Sequence, residues 1–179
     1  MKSKYLLHFF MILNSLILSL SLQAAHHEKE QVNYKEGQKA VTDLFGWDLK
    51  KPTITTEKIA DNIHVLFGYG GNILVSSGDD GVLLVDDQMP EAKNAIMRAI
   101  RKLGGRSVDF IINTHWHFDH AEGNNAFGPN GAQIIAQENS RYMMLNPKPI
   151  NMTFSVYPQQ PYPLNAVPEI TFSRSMNLH

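Results

Sequence analysis

Three histidines and an aspartate occur within six residues, directly after an apolar run of strand length at 108–113. The four residues are His115, His117, Asp119 and His120. Alternate side chains of an extended segment share a side, so His115 and His117 can face one metal ion. Asp119 and His120, past the turn, can face a second ion. Imidazole suits zinc, iron and other borderline ions, and sites of α/β folds gather at strand ends. The cluster predicts a metal site, and a structural surface loop is the weaker interpretation.

The chain before this cluster carries three short apolar runs separated by glycine-bearing turns. The runs are 63–67, 72–76 and 82–86, and the turns are 68–71 and 78–81. Runs of this length with glycine between them predict an antiparallel meander.

Helices and strands alternate after the meander. Apolar residues recur at helical spacing from Pro90 until Gly104–Gly105, and this predicts a helix. We expect strands at 108–113 and 132–136, a helix at 137–145 and one more strand at 169–173. This order predicts an α/β (α+β) fold class.

Charge and composition exclude several classes of function. The 179 residues carry 16 basic and 17 acidic side chains, a formal net charge of −1, and no cysteine. A balance this close to zero gives no electrostatic footprint for nucleic acid. Without cysteine, a disulfide framework, a zinc ribbon and a thiol nucleophile are all excluded. The length suits a single domain.

The amino end has the order of a secretory signal peptide. Lys2 and Lys4 precede an apolar run to Leu22, and small residues follow at Ala24–Ala25. We predict a signal peptide at 1–25, a periplasmic or secreted protein, and no stable membrane anchor after cleavage. The alternative is a single membrane anchor, since about 18 apolar residues can just span a bilayer. We expect a polar segment at 26–56, frayed around His26–His27, and a domain at 57–179.

Prolines concentrate near the carboxyl end. Six of the nine fall between 147 and 168, interleaved with Phe154, Tyr157 and Tyr162. Proline cannot donate to a strand ladder, so we expect an irregular segment here. It is either a substrate-facing loop or a plain connector, and the sequence leaves both open.

The pattern His-x-His-x-Asp-His at 115–120 resembles the metal signature of the metallo-β-lactamase fold superfamily. The hairpin at Gly71–Asn72, the strand ending in Asp86 and the helix from Pro90 agree with it, so the resemblance covers about residues 58–145. It implies the amino-terminal half of an αββα metallo-β-lactamase sandwich. It also implies one or two zinc ions, with iron or manganese in some branches.

The resemblance implies a role for each residue of the cluster. His115 and His117 match two ligands of the first ion, and Asp119 and His120 match two ligands of the second. Asp119 also matches a catalytic group that orients the nucleophile or shuttles its proton. Asp86 matches a carboxylate that supports the metal loop from behind the ligands, and without the resemblance it is an ordinary strand-end turn residue.

The same pattern requires ligands farther downstream. After His120 the chain contains one histidine, His179, and residues 175–179 resemble the strand that precedes the family's next ligand turn. We therefore do not expect His179 to bind metal, and we expect the downstream half of the domain to be missing.

Two functions remain open on the sequence. The first is an exported zinc-dependent hydrolase, whose metal-bound hydroxide attacks a β-lactam, lactone, ester or thioester carbonyl of a small-molecule substrate. The alternative is a catalytically inactive metal-binding fragment or interaction module that lacks the downstream ligands.

Overall fold

The structure is a computed structural model. It describes the backbone of residues 2–153 and 155–178, and their side chains apart from those at 2–15 and 27–33. The helices are α1 (Lys2–Phe45), α2 (Lys93–Lys102), α3 (Phe118–Ala121), α4 (Asn124–Phe127) and α5 (Glu138–Leu145). The strands are β1 (Thr55–Ala60), β2 (Ile63–Phe67), β3 (Ile73–Gly78), β4 (Gly81–Val85), β5 (Phe110–Asn113), β6 (Gln133–Gln137), β7 (Ile150–Asn151), β8 (Val156–Tyr157) and β9 (Ile170–Phe172).

Seven strands form one mixed sheet in the order β1-β2-β3-β4-β5-β6-β9. Strands β2, β3 and β4 pair antiparallel, which confirms the predicted meander, and β1 adds a fourth antiparallel strand that the sequence analysis does not predict. Strands β4, β5, β6 and β9 pair parallel, as expected when helices cross between successive strands. The α/β prediction is confirmed.

Helix α2 covers one face of this sheet. Ile96 and Ile100 of α2 are fully buried in one cluster with Leu84 of β4 and Ile111 of β5. Each such side chain contributes about 1.5–3 kcal/mol when it leaves water. This core fixes the carboxyl ends of β4 and β5, from which the histidine cluster is built.

Helix α1 runs through the segment for which we expected a polar, frayed terminus. The backbone at His26 and His27 is helical in the uncleaved chain, and the expected fraying concerns the terminus that cleavage near Ala25 would create, so it stays a prediction. Residues 28–40 are rich in Glu, Lys and Gln, which favour helices without needing an apolar pattern. Gly46 ends the helix with a φ of 66°, and the Trp47 amide donates to the Thr42 carbonyl at 2.8 Å.

The predicted signal peptide lies largely outside the described side chains, so it remains a prediction. The described side chains from Leu16 to Leu22 are exposed along α1. Among the described residues, no helix combines the length and the apolar character that crossing a membrane requires.

The proline-rich segment is irregular, as expected, except for one short ladder. Strands β7 and β8 pair antiparallel, and Tyr157 of β8 is fully buried. The predicted strand at 169–173 is confirmed as β9. The described residues 175–178 form no strand, contrary to expectation, and Phe154 and His179 lie outside the described residues.

Candidate metal centre

The histidine cluster lies at the carboxyl edge of the parallel strands. The loop after β5 carries His115 and His117, and the single turn of α3 carries Asp119 and His120. The backbone turns sharply at Asp86, directly after β4, with a φ of 63°. The structure brings all five predicted site residues to this edge of the sheet.

Asp86 bonds to both halves of the loop. Its Oδ1 accepts from the Thr114 amide at 2.8 Å, and its Oδ2 accepts from the Thr114 hydroxyl at 2.8 Å. The same Oδ2 lies 2.8 Å from Nδ1 of His120. A carboxylate that is hydrogen-bonded to one ring nitrogen of a histidine fixes the orientation of the ring and leaves the other nitrogen free to bind a metal ion. The free nitrogen, Nε2, lies 3.5 Å from Oδ2 of Asp119.

The three imidazoles lie close together. The ring centre of His115 is 4.7 Å from that of His117 and 4.2 Å from that of His120. Burial lowers the pKa of His115 and of His117, and neighbouring histidines lower that of His115 further. A lowered pKa keeps these two rings neutral near pH 7, which is the state that binds metal. The hydrogen bond to Asp86 is the main reason why the pKa of His120 is raised.

The donor set fits zinc in its chemistry. Imidazole nitrogens and one carboxylate are the ligands that zinc and other borderline ions take, and the free nitrogen of His120 is aimed at the Asp119 carboxylate. These donors are not arranged as a closed site. Across the described part of the chain, no three His, Asp or Glu side chains converge as a complete metal site.

The turn between β2 and β3 packs directly against this cluster. A Cβ atom at Gly71 would lie 2.4 Å from the His120 ring, and one at Gly70 would lie 2.7 Å from Cβ of Asp119. The Gly71 amide donates to the Asp119 carbonyl at 3.0 Å. The sequence pattern identified this pair only as a turn. The two glycines also leave room for Asp119 and the His120 ring. This role depends on a contact between residues about 50 positions apart, which the local sequence pattern does not show.

The structure places a buried carboxylate, that of Glu122, behind the cluster, and the sequence does not predict it as part of the site. Glu122 is 2% exposed and accepts hydrogen bonds from the hydroxyls of Tyr157 at 2.8 Å and Tyr34 at 3.3 Å. Burial raises the pKa of Glu122 to about 7. Asp87 is also buried, and burial followed by the nearby Asp86 charge raises its pKa well above the ordinary value. Tyr34 and Tyr157 are distant from Glu122 in sequence, so no local motif indicates this hydrogen-bond network.

A hollow of about 370 Å³ opens beside His117 and Asp119. Phe45 and Trp47, stacked at 4.9 Å, line it from the end of α1. Residues 150–152 of the proline-rich segment line it as well. Of the two interpretations of that segment, the one in which it faces the site agrees with this placement.

Comparison with known proteins gives the same fold. Residues 66–166 match the metallo-beta-lactamase superfamily. MEM-A1, a subclass B3 metallo-beta-lactamase isolated from a soil metagenome library, is 22% identical with a TM-score of 0.54, covering 72% of this chain and 48% of that one. BJP-1, a subclass B3 metallo-beta-lactamase of Bradyrhizobium japonicum, is 27% identical with a TM-score of 0.48, covering 55% of this chain and 38% of that one.

Native FEZ-1 metallo-beta-lactamase from Legionella gormanii is 20% identical with a TM-score of 0.48, covering 53% of this chain and 38% of that one. The chain thus spans less than half of the length of each of these three proteins. The predicted fold class is confirmed as part of the metallo-β-lactamase fold. Because the family match covers more than half of its residues, this chain belongs to the metallo-beta-lactamase superfamily.

Proposed function

We propose that this chain supplies the metal-binding loop of a zinc-dependent hydrolase that acts on small molecules. The observation that carries the proposal is the chain of contacts from Asp86 to Nδ1 of His120 and from Nε2 of His120 to Asp119. This arrangement leaves a ligand nitrogen and a carboxylate oxygen side by side. In the proposal, His115 and His117 hold the first ion, and Asp119 and His120 hold the second. Iron or manganese can replace zinc with the same donors.

Zinc, when bound, lowers the pKa of a bound water to about 7 and polarises a carbonyl. The chain's own residues then have three tasks. Asp86 fixes the tautomer and direction of His120 through its hydrogen bond. The Asp119 carboxylate, which lines the hollow, orients the attacking water and accepts its proton. The neutral rings of His115 and His117 remain available as ligands.

The hollow indicates the kind of substrate. Apart from His117 and Asp119, its lining is mainly aromatic and aliphatic, with Phe45, Trp47 and Met152 prominent. Pockets of this size and lining take small organic molecules. We propose hydrolysis of a β-lactam, lactone, ester or thioester, with the β-lactam first because the superfamily that residues 66–166 match is named for it.

We also propose that the protein is exported to the periplasm or secreted. The support is the order of basic, apolar and small residues in 1–25. Cell fractionation followed by amino-terminal sequencing tests this, and intact Met1 on soluble cytoplasmic protein would reject it.

The alternative stays open beside this proposal. It is a catalytically inactive metal-binding fragment or interaction module, which binds zinc without turnover.

Zinc binding by matched histidine variants tests the proposal. We expect His117→Ala to weaken zinc binding at least tenfold in chelator competition, since loss of one ligand removes a large part of the coordination energy. His64→Ala removes a histidine from β2 and should leave the affinity unchanged. Equal affinities of the two variants would reject the metal site. Zinc-dependent hydrolysis of a β-lactam or a thioester, lost in His117→Ala, separates the hydrolase from the inactive module.

A further inference from the structure

The buried carboxylate of Glu122 connects three parts of the chain that are remote in sequence. Tyr157 of β8 donates to Glu122, with its hydroxyl 2.8 and 3.0 Å from the two carboxylate oxygens. Tyr34 of α1 donates to the same carboxylate at 3.3 Å, and the two tyrosine hydroxyls lie 3.1 Å apart. A buried carboxylate is tolerated only when donors surround it, so this contact holds α1 and β8 to the loop.

Tyr157 makes a second contact with the same loop. Its ring stacks on Phe118 with the ring centres 3.8 Å apart and the planes 15° apart. Phe118 is buried and begins α3, whereas Glu122 follows directly after α3. One tyrosine therefore holds the turn at its first residue by stacking and at its far end by hydrogen bonding.

Helix α3 needs such support from outside. It has four residues, and a single helical turn is not stable by itself because its nucleation is unfavourable. Yet this turn carries both Asp119 and His120. Functional groups must be held to within about 0.5 Å, and this requires neighbours whose own positions are fixed by packing and hydrogen bonds.

We propose that Tyr157, acting through Glu122 and Phe118, is a positioning residue for Asp119 and His120, with Tyr34 as a secondary support. The inference rests on the proposed metal site. The proline-rich segment and the end of α1 then serve metal binding although neither supplies a ligand.

A matched pair of tyrosine variants tests the inference at constant pH. Tyr157→Phe keeps the stack on Phe118 and removes the hydrogen bonds to Glu122. Tyr162→Phe is the control, because Tyr162 is a buried tyrosine of the same segment, and the hydroxyls that bond to Glu122 are those of Tyr157 and Tyr34. The full chain is titrated with zinc under chelator competition and with cobalt(II), whose visible spectrum reports the ligand geometry. Thermal unfolding of the metal-free proteins is measured in parallel.

We expect Tyr157→Phe to weaken zinc binding about tenfold, as losing a group behind metal ligands does, and to change the cobalt spectrum. Tyr162→Phe should leave both unchanged. Glu122→Gln, which keeps one acceptor oxygen, should retain more affinity than Glu122→Ala. A lower Tm of Tyr157→Phe with unchanged zinc affinity and cobalt spectrum would overturn the positioning role, as would equal affinities of the two tyrosine variants. Unchanged affinity in His117→Ala would instead overturn the proposed site itself.

Discussion

Asp86 adopts a backbone conformation that is rare for a residue with a side chain. Its φ is 63°, and Gln88 two residues later has a φ of 58°. Such positions cost about 1–3 kcal/mol each and persist where the surroundings fix them. Here the surroundings are the bonds from Asp86 to Thr114 and His120. The strain therefore lies at the residue that orients a proposed ligand.

Addition of a single methyl group at Gly71 tests the space beside the His120 ring. Gly71→Ala should weaken zinc binding several-fold, because the new methyl would lie within 2.4–2.9 Å of three atoms of the His120 ring and must displace it. Gly78→Ala is the control, since the nearest atom to its methyl, on Asn62, would be 3.7 Å away. Chelator competition measures both variants. Equal zinc affinity would show that the His120 ring does not need the space at Gly71.

The raised pKa of Glu122 predicts how the free energy of unfolding depends on pH. Its pKa rises from 4.5 to about 7 on folding, chiefly through burial, so the folded state holds the proton more tightly than the unfolded state. The contribution of Glu122 to the free energy of unfolding is therefore largest below pH 4.5, where the carboxyl is protonated, and declines as the pH rises to 7. Glu122→Gln stays neutral and lacks this decline. We compare the free energy of unfolding of the unmodified protein with that of Glu122→Gln. The difference, unmodified minus variant, should fall by on the order of 3 kcal/mol between pH 4.5 and pH 7.

Urea unfolding at several pH values in the presence of a chelator measures this difference. The histidines titrate too, but Glu122 is not among the causes of their pKa shifts, so they cancel in the comparison. The Glu122 charge does raise the pKa of Asp87, so both proteins are compared with Asp87→Asn in place. A difference that is constant from pH 4.5 to 7 would contradict the raised pKa of Glu122.

At the scale of elements, the sequence predicts those parts whose signal is local. The meander, α2, β5 and β6 follow from apolar periodicity, and the histidine cluster follows from spacing along one loop. The carboxyl half of α1 lacks an apolar stripe that is clear enough to predict it, although Gly46 is a typical helix end. The partners of Glu122 are 35 and 88 positions away, and nothing in the sequence around Glu122 indicates them.

The aromatic wall of the hollow is a second case in which an element, and not a motif, builds the site. Trp47 follows Gly46 in a turn that returns the chain toward the helix, and its ring stacks between Phe45 and Tyr69 at 4.9 and 6.0 Å. The sequence shows the glycine and the aromatic residues. It does not show that the end of α1 lies beside His117, because this placement depends on the packing of α1 against β8 and the metal loop.

For the whole molecule, α1 has two parts with different surroundings. Its described residues at 16–26 are exposed, whereas Val41 is buried with Met89, Phe118 and Tyr157 in one cluster. Gly37 packs so closely against Pro158 that an added Cβ would lie 2.3 Å from the proline ring. The second part of α1 therefore packs against residues of the predicted domain, and the proposed cleavage near Ala25 would leave it in place.

Two truncations test this division. Removal of residues 1–25 should leave the free energy of unfolding and the zinc affinity unchanged, because the described side chains at 16–25 are exposed. Removal of residues 1–45 should cost at least about 3 kcal/mol, since it exposes the partners of Val41 and leaves Glu122 without its Tyr34 donor. It should also weaken zinc binding, because the support of the metal loop is lost. Urea unfolding and chelator competition measure both quantities, and equal values for the two truncated proteins would place the whole of α1 outside the domain.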